Sequence, residues 1–476
     1  MRKTVIHRPL WHYTLLLAAA ISVIIVLFGL FISLILDAIS VSYKITHFFL
    51  IGLISFLCIF ALLIRFLYKR YVAVTPSAQF AYEWDDGPWL VYGKDPKTQL
   101  RVCWFTKKTE KTGFEFGKNK DDLIEITDDT ENPVKMHVVE LDNLEPNTRY
   151  IYRIKTKTGT DTFHNFKTGP NSFKHVSFVL IGDTQNGGGY GTDNWGFEPI
   201  AEQLKKEQFD FIAHTGDVSD QGNDIKSWHQ FFKSAAPLSK YYAIEIAVGN
   251  HDTGTQFLHD ESIKKYPDEG ANFDYFFPYP FDRDDSEDRI TPFSSRHYYF
   301  DYSFCRFIFV DTQNSKMAEP KSRQWRFLDE TLKSCPDNYW KIIITHRTLL
   351  ELKQIDIGNY ILRMSKYGRF LVPIFDRFGV DLVVSGHAHN YQHMERKLKE
   401  KNLRTTYLVS GGAGNELRKN PPKNLEDINV PEFIYFENST HYMKFEIEEN
   451  QTIITAKYPN GDVLDSFKIT RNDRSL

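Results

Sequence analysis

Six short apolar runs in the last two thirds of the chain each end in an acid, an amide or a histidine. They are VSFVLIGD ending at Asp183, FDFIAHTGD at Asp217, AIEIAVGN at Asn250, CRFIFVD at Asp311, WKIIITH at His346 and VDLVVSGHAH at His387 and His389. An apolar run of this length, bounded by Gly and polar residues, is typical of a buried strand. The carboxyl ends of neighbouring strands in α/β sheets meet in one crevice. The pattern therefore predicts a crevice ringed by metal ligands, enough of them for two metal ions.

Length and charge narrow the class of protein. The 476 residues exceed what one domain usually needs. A formal net charge of −3 gives no general attraction to nucleic acid, so no nucleic-acid partner is expected. The four cysteines form no metal-binding spacing. A single Cys305–Cys335 bridge and four buried thiols are both compatible with this pattern.

Two apolar stretches near the N-terminus, uncharged except for Arg65 in the second, predict membrane-spanning helices. They cover residues 14–36 and about 48–68, and each has about the length that a bilayer core requires. The first is too long for the apolar region of a signal peptide. We therefore expect a membrane hairpin over residues 1–73, two buried core helices being the alternative. The Lys and Arg residues flanking both stretches favour a cytoplasmic catalytic domain on the side of the N-terminus, although an extracytoplasmic one also fits an integral membrane protein of this kind.

Five motifs follow predicted strands in a fixed order. They are Asp183, Gly216-Asp217, Gly249-Asn250-His251-Asp252, His346 and Gly386-His387-Ala388-His389. Each motif alone is weak evidence, but the ordered set resembles the calcineurin-like metallophosphoesterase family, in particular its purple acid phosphatase-like branch. The resemblance covers residues 174–470 and implies an α/β fold of four layers, α/β/β/α.

The preceding segment, residues 78–169, alternates short strands with turns, a pattern typical of a β-sandwich. Its stretch LEPNTRYIYR, from Leu144 to Arg153, resembles the fibronectin type III-like module that precedes the catalytic domain of purple acid phosphatases. We find no catalytic chemistry in this segment. The expected fold class is therefore an all-β sandwich and an α/β phosphoesterase domain behind a membrane hairpin.

The family resemblance implies two divalent metal ions, for which Mn, Fe and Zn suit carboxylate, imidazole and amide ligands. Asp217 is expected to bridge the two ions. The other implied ligands are Asp183 and His389 on one metal, and Asn250, His346 and His387 on the other. A hydroxide that bridges the metals is expected to attack a phosphate ester, with His251 as general acid and Asp252 orienting its ring.

Two positions depart from the family pattern. Many members carry His two positions after the first Asp, whereas this chain has Gln185, whose amide oxygen or a water would take that ligand place. Purple members carry Tyr three positions after the bridging Asp, whereas this chain has Asp220. A colourless or differently loaded metal pair is therefore favoured over a purple ferric centre.

The sequence thus predicts a metal-dependent phosphoesterase whose partner is a phosphorylated substrate. Monoester and diester substrates fit the same site, because selectivity lies in the surrounding loops, and a phosphodiesterase or pyrophosphatase is one alternative. The other is a catalytically silent membrane module that binds phosphate or metal. The complete set of motif residues disfavours the silent module.

Overall fold

The computed structural model describes residues 85–474, except 128–133, 158, 173–174, 186–196, 223, 254–270, 280–295, 314, 357–358, 399–401, 415–416 and 418–432. All of these residues lie in one of two compact units, Ser77–Leu476. The six apolar runs that end in polar residues all form strands in it.

A β-sandwich occupies the start of the described chain. One sheet has the order β1-β2-β5, and in the other β4, β3 and β6 are followed by β7 and β8, which both pair with β6. The strands are β1 Asp86–Tyr92, β2 Leu100–Glu110, β3 Gly113–Gly117, β4 Ile124–Thr127, β5 Val134–Leu141, β6 Arg149–Thr156, β7 Gly159–Thr160 and β8 His164–Lys167. Apolar side chains alternate along β6, where Tyr150, Tyr152 and Ile154 are buried, as expected for a strand with one face on a core.

Two larger sheets follow the sandwich. The first has six strands in the order β11-β10-β9-β21-β22-β23, in which β9, β10 and β11 are parallel. These strands are β9 His175–Ile181, β10 Phe211–His214, β11 Ile244–Ile246, β21 Tyr442–Glu448, β22 Gln451–Lys457 and β23 Val463–Thr470. The second has seven strands in the order β12-β13-β14-β17-β19-β18-β20. They are β12 Tyr298–Tyr302, β13 Cys305–Val310, β14 Trp340–Thr345, β17 Leu382–Ser385, β18 Tyr391–Leu398, β19 Leu403–Ser410 and β20 Phe433–Glu437.

In the described part of the chain, five helices lie in the connections between the strands of the two large sheets. They are α1 Phe197–Leu204, α2 Ile225–Ser239, α3 Ala271–Phe276, α4 Arg323–Lys333 and α5 Lys366–Phe378, with a 3₁₀ turn at Ser315–Met317 and a separate hairpin of β15 Leu350–Asp356 and β16 Asn359–Met364. The Ser365 hydroxyl caps the start of α5 by accepting from Gly368 N. Gly379 ends the same helix with φ of 60°, a conformation that glycine adopts without a steric penalty.

Alternate residues of the central strands enter two different cores. In β14, Ile342 and Ile344 belong to the core between the two sheets, whereas Ile343 belongs to the core beneath α4 and α5. The inner core also joins the sheets directly, since the Phe307 ring lies edge-on 5.1 Å from that of Phe178. Burial on both faces explains why the six runs are continuously apolar. The result is the predicted four-layer α/β/β/α arrangement.

The sandwich packs closely against the first of these sheets through β1. The Trp89 ring stacks on Phe232 of α2 at 4.3 Å, and the Trp89 indole N–H donates to the Phe276 carbonyl. The backbone N–H of Tyr92 donates to a carboxylate oxygen of Glu245 in β11 at 2.7 Å. Helix α2 follows the loop after β10. The packing of the sandwich against α2 therefore also supports the end of that loop.

The predicted membrane hairpin is not part of the described fold. Residues 14–36 and 48–68 lie outside the described residues, and within the described part of the chain no helix is long and apolar enough to cross a membrane. The fold class is therefore corrected to a β-sandwich followed by a four-layer α/β domain. The predicted integral membrane location, and the membrane as a partner, are withdrawn with it.

The cysteine alternatives are resolved for the three described residues. Cys103, Cys305 and Cys335 are all buried free thiols, so the Cys305–Cys335 bridge is not formed.

The buried Glu245 makes stability depend on pH. Burial raises its pKa to about 8, against the opposing hydrogen bond from Tyr92 N. The folded protein therefore holds this proton more tightly than the unfolded chain, and stability falls as pH rises from about 4.5 to 8, then levels off.

We expect Glu245→Gln to match the wild type near pH 5 and to be more stable by roughly 2–4 kcal/mol near pH 8.5. Thermal unfolding across this range tests it, with the exposed Glu202→Gln as control. An equal stability difference at every pH would contradict the assignment.

Candidate metal centre

The carboxyl ends of strands from both large sheets meet at one edge and bring the predicted ligands together. Asp183 follows β9, Asp217 follows β10, Asn250 follows β11, His346 follows β14, and His387 and His389 follow β17. Asp311, after β13, accepts a hydrogen bond from Gln313 N at 2.7 Å and so caps its own loop.

Three side chains converge at the centre of this edge. His346 Nε2 lies 3.0 Å from Asn250 Oδ1 and 3.3 Å from Asp217 Oδ2. Its other ring nitrogen, Nδ1, donates to the Thr215 carbonyl at 3.0 Å, so the neutral ring carries its lone pair on Nε2, which faces the other two groups. Ligand atoms of Asp217, His346 and His387 all lie within 4.8 Å of one another, which is the spacing of a metal site.

Asp183 and the two histidines after β17 form the neighbouring part of the site. The Asp183 carboxylate accepts a hydrogen bond from His387 N at 2.9 Å, and His389 Nε2 lies 3.5 Å from its Oδ1. The His387 ring lies edge-on to the His346 ring, with centroids 5.1 Å apart. The loop after β17 therefore turns both histidines toward the acids, as the ligand prediction requires.

Gln185 carries a buried atom that fits a metal ligand. Its Nε2 donates to Asp217 Oδ2 at 3.2 Å, which directs the amide toward the predicted bridging acid. Its Oε1 is buried and has no hydrogen-bond partner among the described residues. Buried polar atoms without partners are rare in proteins, and an amide oxygen beside carboxylates and imidazoles is a suitable ligand for a divalent ion. The donor set therefore fits the metal pair that the sequence predicts.

The site backbone is unusual in two respects. Asp183, Asp217 and His387 all have positive φ, at 57°, 58° and 65°, a conformation that is uncommon outside glycine and recurs at functional sites. Two glycines also allow close approach, because a Cβ on Gly249 would lie 2.1 Å from Asp217 Oδ1 and one on Gly386 would lie 2.4 Å from Asp183 Oδ2. The glycines that precede ligands in the sequence thus make room for the acids.

Burial and charge act against each other at the acids. Burial raises the pKa of Asp183 above its usual range. Burial also opposes ionisation of Asp217, but the neighbouring His346 and His251 lower its pKa well below the usual range. Two fully buried carboxylates at one point need compensating positive charge, which bound cations supply.

His251 is held beside this cluster by the loop after β10. Its backbone N–H donates to Asp217 Oδ1 at 2.8 Å, and its Nε2 lies 4.0 Å from Asp217 Oδ2. Its Nδ1 lies 2.7 Å from the carbonyl oxygen of Asp220 and 3.7 Å from the Asp220 carboxylate. Asp220 therefore orients the ring and leaves Nε2 on the side of the acids.

Asp252 has a different role from the predicted one. Its Oδ2 accepts from the backbone N–H groups of Asp217 and Gly249, at 2.9 and 2.8 Å. Its Oδ1 accepts from the backbone N–H groups of Val218 and Ser219, at 2.9 and 3.0 Å. The predicted orientation of the His251 ring is thus supplied by Asp220, and Asp252 instead joins the two loops that carry Asp217 and Asn250.

Comparison with known families identifies the domains that carry these features. The family model Calcineurin-like phosphoesterase matches residues 176–391. The chain carries a calcineurin-like phosphoesterase domain. The model Purple acid Phosphatase, N-terminal domain matches residues 86–168, the β-sandwich. The predicted family and branch are confirmed, whereas the likeness of the sandwich to fibronectin type III modules stays a prediction.

Individual relatives are distant. The chain is 24% identical to "Probable inactive purple acid phosphatase 27" of Arabidopsis thaliana, over 72% of this chain and 59% of that protein. It is 22% identical to a "Nucleotide pyrophosphatase/phosphodiesterase" of Hordeum vulgare, over 57% of this chain and 74% of that protein. The match therefore spans less than two thirds of the first of these relatives.

Among solved structures, purple acid phosphatase PPD1 from yellow lupin (Lupinus luteus) seeds superposes with a TM-score of 0.66. The superposition has 21% sequence identity and covers 82% of this chain and 75% of that one. At this identity the likeness establishes the fold alone.

Two residues beside the site make contacts that the sequence analysis did not predict. His214 is fully buried, and burial lowers its pKa to about 3, so its neutral ring accepts from Gly216 N and contacts Thr184 Oγ1. Asp220 orients His251 through its backbone carbonyl, a contact that no side-chain pattern signals. The position of each depends on the path of the loop after β10.

A methyl group added at Gly249 would collide with the Asp217 carboxylate, so we predict that it disturbs both stability and metal binding. We expect Gly249→Ala to displace Asp217, to lower stability by about 1–3 kcal/mol and to reduce bound metal at least about tenfold. Metal analysis and thermal unfolding of the purified protein test this. Gly113→Ala is the matched control, because its Cβ would meet nothing closer than 3.4 Å. Unchanged metal content in Gly249→Ala would rule out the tight contact.

The two interpretations of Asp252 predict different phenotypes for Asp252→Asn. As the loop anchor, Asp252 accepts from four backbone N–H groups, and the amide of Asn leaves buried donors unpaired at roughly 1–3 kcal/mol each. We therefore expect a lower melting temperature and weaker metal binding, with the exposed Asp142→Asn as control. Normal stability and metal content with a slower reaction would instead support a role in orienting His251.

Proposed function

We propose that this chain is a phosphoric ester hydrolase that uses two divalent metal ions. The observation that carries the proposal is the convergence of Asp217, Asn250 and His346 with the partnerless buried oxygen of Gln185. The membership of residues 176–391 in the calcineurin-like phosphoesterase family supports it, because that family uses a dinuclear metal centre. The proposed domains are the sandwich, 78–169, and the phosphoesterase domain, 174–470.

The proposed ligands divide between two ions. Asp217 would be the bridging ligand, because its Oδ2 lies 3.2 Å from Gln185 Nε2 and 3.3 Å from His346 Nε2, which belong to different ligand sets. The other proposed ligands are Asp183, Gln185 and His389 for one ion and Asn250, His346 and His387 for the other. Mn, Fe and Zn all suit this set of ligands. Such ions, when bound, lower the pKa of a bound water and stabilise the charge that develops on the phosphoryl oxygens.

The residues around the ions have separate tasks. Thr215 fixes the His346 ring through its carbonyl, so that Nε2 faces the site. His251 is the proposed general acid, because Asp220 holds its Nδ1 and leaves Nε2 available to give a proton to the leaving oxygen. Asp252 fixes the positions of Asp217 and Asn250 relative to each other, because its carboxylate accepts hydrogen bonds from both of the loops that carry them.

Two alternatives differ from this proposal in substrate or in turnover. A phosphodiesterase or pyrophosphatase uses the same residues, and the barley relative carries that name. A catalytically silent phosphate- or metal-binding module is the other, and the Arabidopsis relative is named as probably inactive. The presence of His251 and of every proposed ligand in this chain favours the enzyme.

The test is an assay of metal-reloaded protein with chromogenic phosphate mono- and diesters. We expect Asp217→Asn and His346→Ala to lose metal and activity together, because both contribute to the central cluster. We expect His251→Ala to keep its metal and to lose about 10²–10⁴ in rate, the usual contribution of a general acid. His175→Ala, an exposed histidine at the opposite end of β9, is the matched control.

Metal analysis of each variant decides between the interpretations. A His251→Ala protein that lacks metal would contradict the division of roles. Two tightly bound metals with no turnover of either ester class by the wild type would favour the silent module.

A further inference from the structure

A short loop after β19 packs against the proposed ligand Asp183. It comprises residues 411–414, with the sequence Gly-Gly-Ala-Gly, and we call it the glycine loop. A Cβ on Gly411 would lie 2.8 Å from Asp183 Oδ2 and 2.5 Å from the carbonyl oxygen of Ala388, the residue between the two histidines that follow β17. The loop backbone therefore lies against the Asp183 carboxylate with no room for a side chain between them.

The glycine loop also contacts the backbone on both sides of Asp183. Ala413 N donates to the Gly182 carbonyl at 3.0 Å. A Cβ on Gly414 would lie 2.7 Å from the carbonyl oxygen of Thr184, so this residue too is in close contact with the loop. The position of the Asp183 carboxylate consequently depends on the position of the glycine loop.

The glycine loop is itself held by His441, a fully buried residue between β20 and β21. The backbone N–H of His441 donates to the Gly412 carbonyl at 3.1 Å, and a Cβ on Gly412 would lie 2.5 Å from the ring atom Nδ1. The other ring nitrogen, Nε2, lies 3.0 Å from the hydroxyl of Ser410, the last residue of β19. These contacts join His441 to the start of the glycine loop.

The hydrogen bonds of the His441 ring fix its protonation. Nδ1 lies 2.8 Å from the Ser439 carbonyl oxygen, which can only accept, so Nδ1 carries the hydrogen. Nε2 then accepts from the Ser410 hydroxyl. Burial lowers the pKa of His441 to about 4, so the ring is neutral at neutral pH. A neutral ring with both nitrogens bonded keeps the end of β19 in one position.

We infer that His441 is a positioning residue for one of the two proposed metal ions, the ion assigned to Asp183, Gln185 and His389. The hydrogen bond from Ser410 fixes the glycine loop, and the loop fixes the Asp183 carboxylate. Residues that support metal ligands in this way typically change metal affinity by about 10-fold to 100-fold when they are removed. The inference rests on the proposed two-metal function and adds a residue that controls the affinity of one ion.

The other proposed ion should depend on this contact much less. Two of its proposed ligands, Asn250 and His346, follow β11 and β14. The loop of Asn250 is held by Asp252, and the His346 ring is held by the Thr215 carbonyl. The Thr215 hydroxyl reaches the Ser410 carbonyl only at 3.5 Å, which is long for a hydrogen bond. A selective effect on one ion is therefore expected.

The test is a calorimetric titration of the metal-stripped protein with Mn²⁺. We expect His441→Phe, which keeps a flat ring but loses both ring hydrogen bonds, to weaken one ion by about 10-fold to 100-fold. The other ion should weaken by less than about threefold, because sites without a shared contact act nearly independently. At a Mn²⁺ concentration that fills both sites of the wild type, the electron paramagnetic resonance spectrum should be that of a coupled pair for the wild type and that of a single ion for the variant.

Milder variants test the route through Ser410. His441→Gln can place an amide oxygen where Nε2 lies and so accept from Ser410, and it should restore most of the affinity. His441→Asn is too short to reach Ser410 and should not restore it. Ser410→Ala removes the same hydrogen bond with little change in volume. Its addition to His441→Phe should weaken the ion little further, because both variants remove one contact.

Ligand variants identify the ion that is affected. In Asn250→Ala the ion that remains is the one assigned to Asp183, and the addition of His441→Phe should weaken it by about 10-fold to 100-fold. In His389→Ala the other ion remains, and the addition of His441→Phe should change its affinity by less than about threefold.

His137→Phe is the matched control. His137 is likewise buried, and its ring nitrogens lie 2.9 and 3.1 Å from the hydroxyls of Thr106 and Thr112, but it belongs to the β-sandwich. The variant should destabilise the metal-free protein, as His441→Phe does, and should leave both ions bound as in the wild type.

Other results contradict the inference. Unchanged Mn²⁺ binding in His441→Phe and Ser410→Ala, or equal weakening of both ions, would show that the histidine does not position one set of ligands. Selective weakening that also appears in His137→Phe would assign the effect to lost stability. A wild type that binds no metal pair would overturn the proposed function as well. A wild type that binds the pair and turns over esters leaves that function standing, whatever His441→Phe does.

Discussion

One buried carboxylate, that of Asp252, holds together the two loops on which the site depends. Its oxygens accept from four backbone N–H groups, three in the loop after β10 and one in the loop after β11. These bonds offset the strain of a positive φ at Asp217 and fix the distance between Asp217 and Asn250. They also set the course of the chain toward Asp220, whose carbonyl orients His251. The residues proposed as bridging ligand, ligand of the second metal and general acid thus share one support.

The site concentrates negative charge that the protein alone leaves poorly compensated. Asp183, Asp217 and Asp252 are all buried, and burial together with the Asp217 charge raises the pKa of Asp252 to about 6. Divalent ions would provide the missing positive charge, so metal binding contributes to the stability of the folded site. The arrangement of the acids thus favours cations at the centre of the site.

Local chemistry explains what the sequence could predict. The apolar runs and their polar ends identify the strands and the proposed ligands, because strand burial and ligand type are properties of short segments. The sequence alone left Gln185 undecided, and its buried oxygen without a partner now supports the proposal that it is a ligand. The backbone contacts of Asp252 could not be predicted, because they reach back 35 positions to Asp217 along a loop path that no local pattern specifies. The prediction of a membrane hairpin used only the hydropathy and the length of two segments.

The order of strands in the first sheet has a consequence for synthesis of the protein. Strand β9, which presents Asp183, lies between β10 and β21, and Ser177 and Glu446 at this junction are 269 positions apart. Ribosomes add about 5–20 residues per second, so β9 emerges well before the partner that covers its second edge. An unpaired strand that is mostly apolar is prone to wrong association during that delay. The strand that presents the proposed ligand Asp183 therefore keeps this edge open until β21, Tyr442–Glu448, has been synthesised.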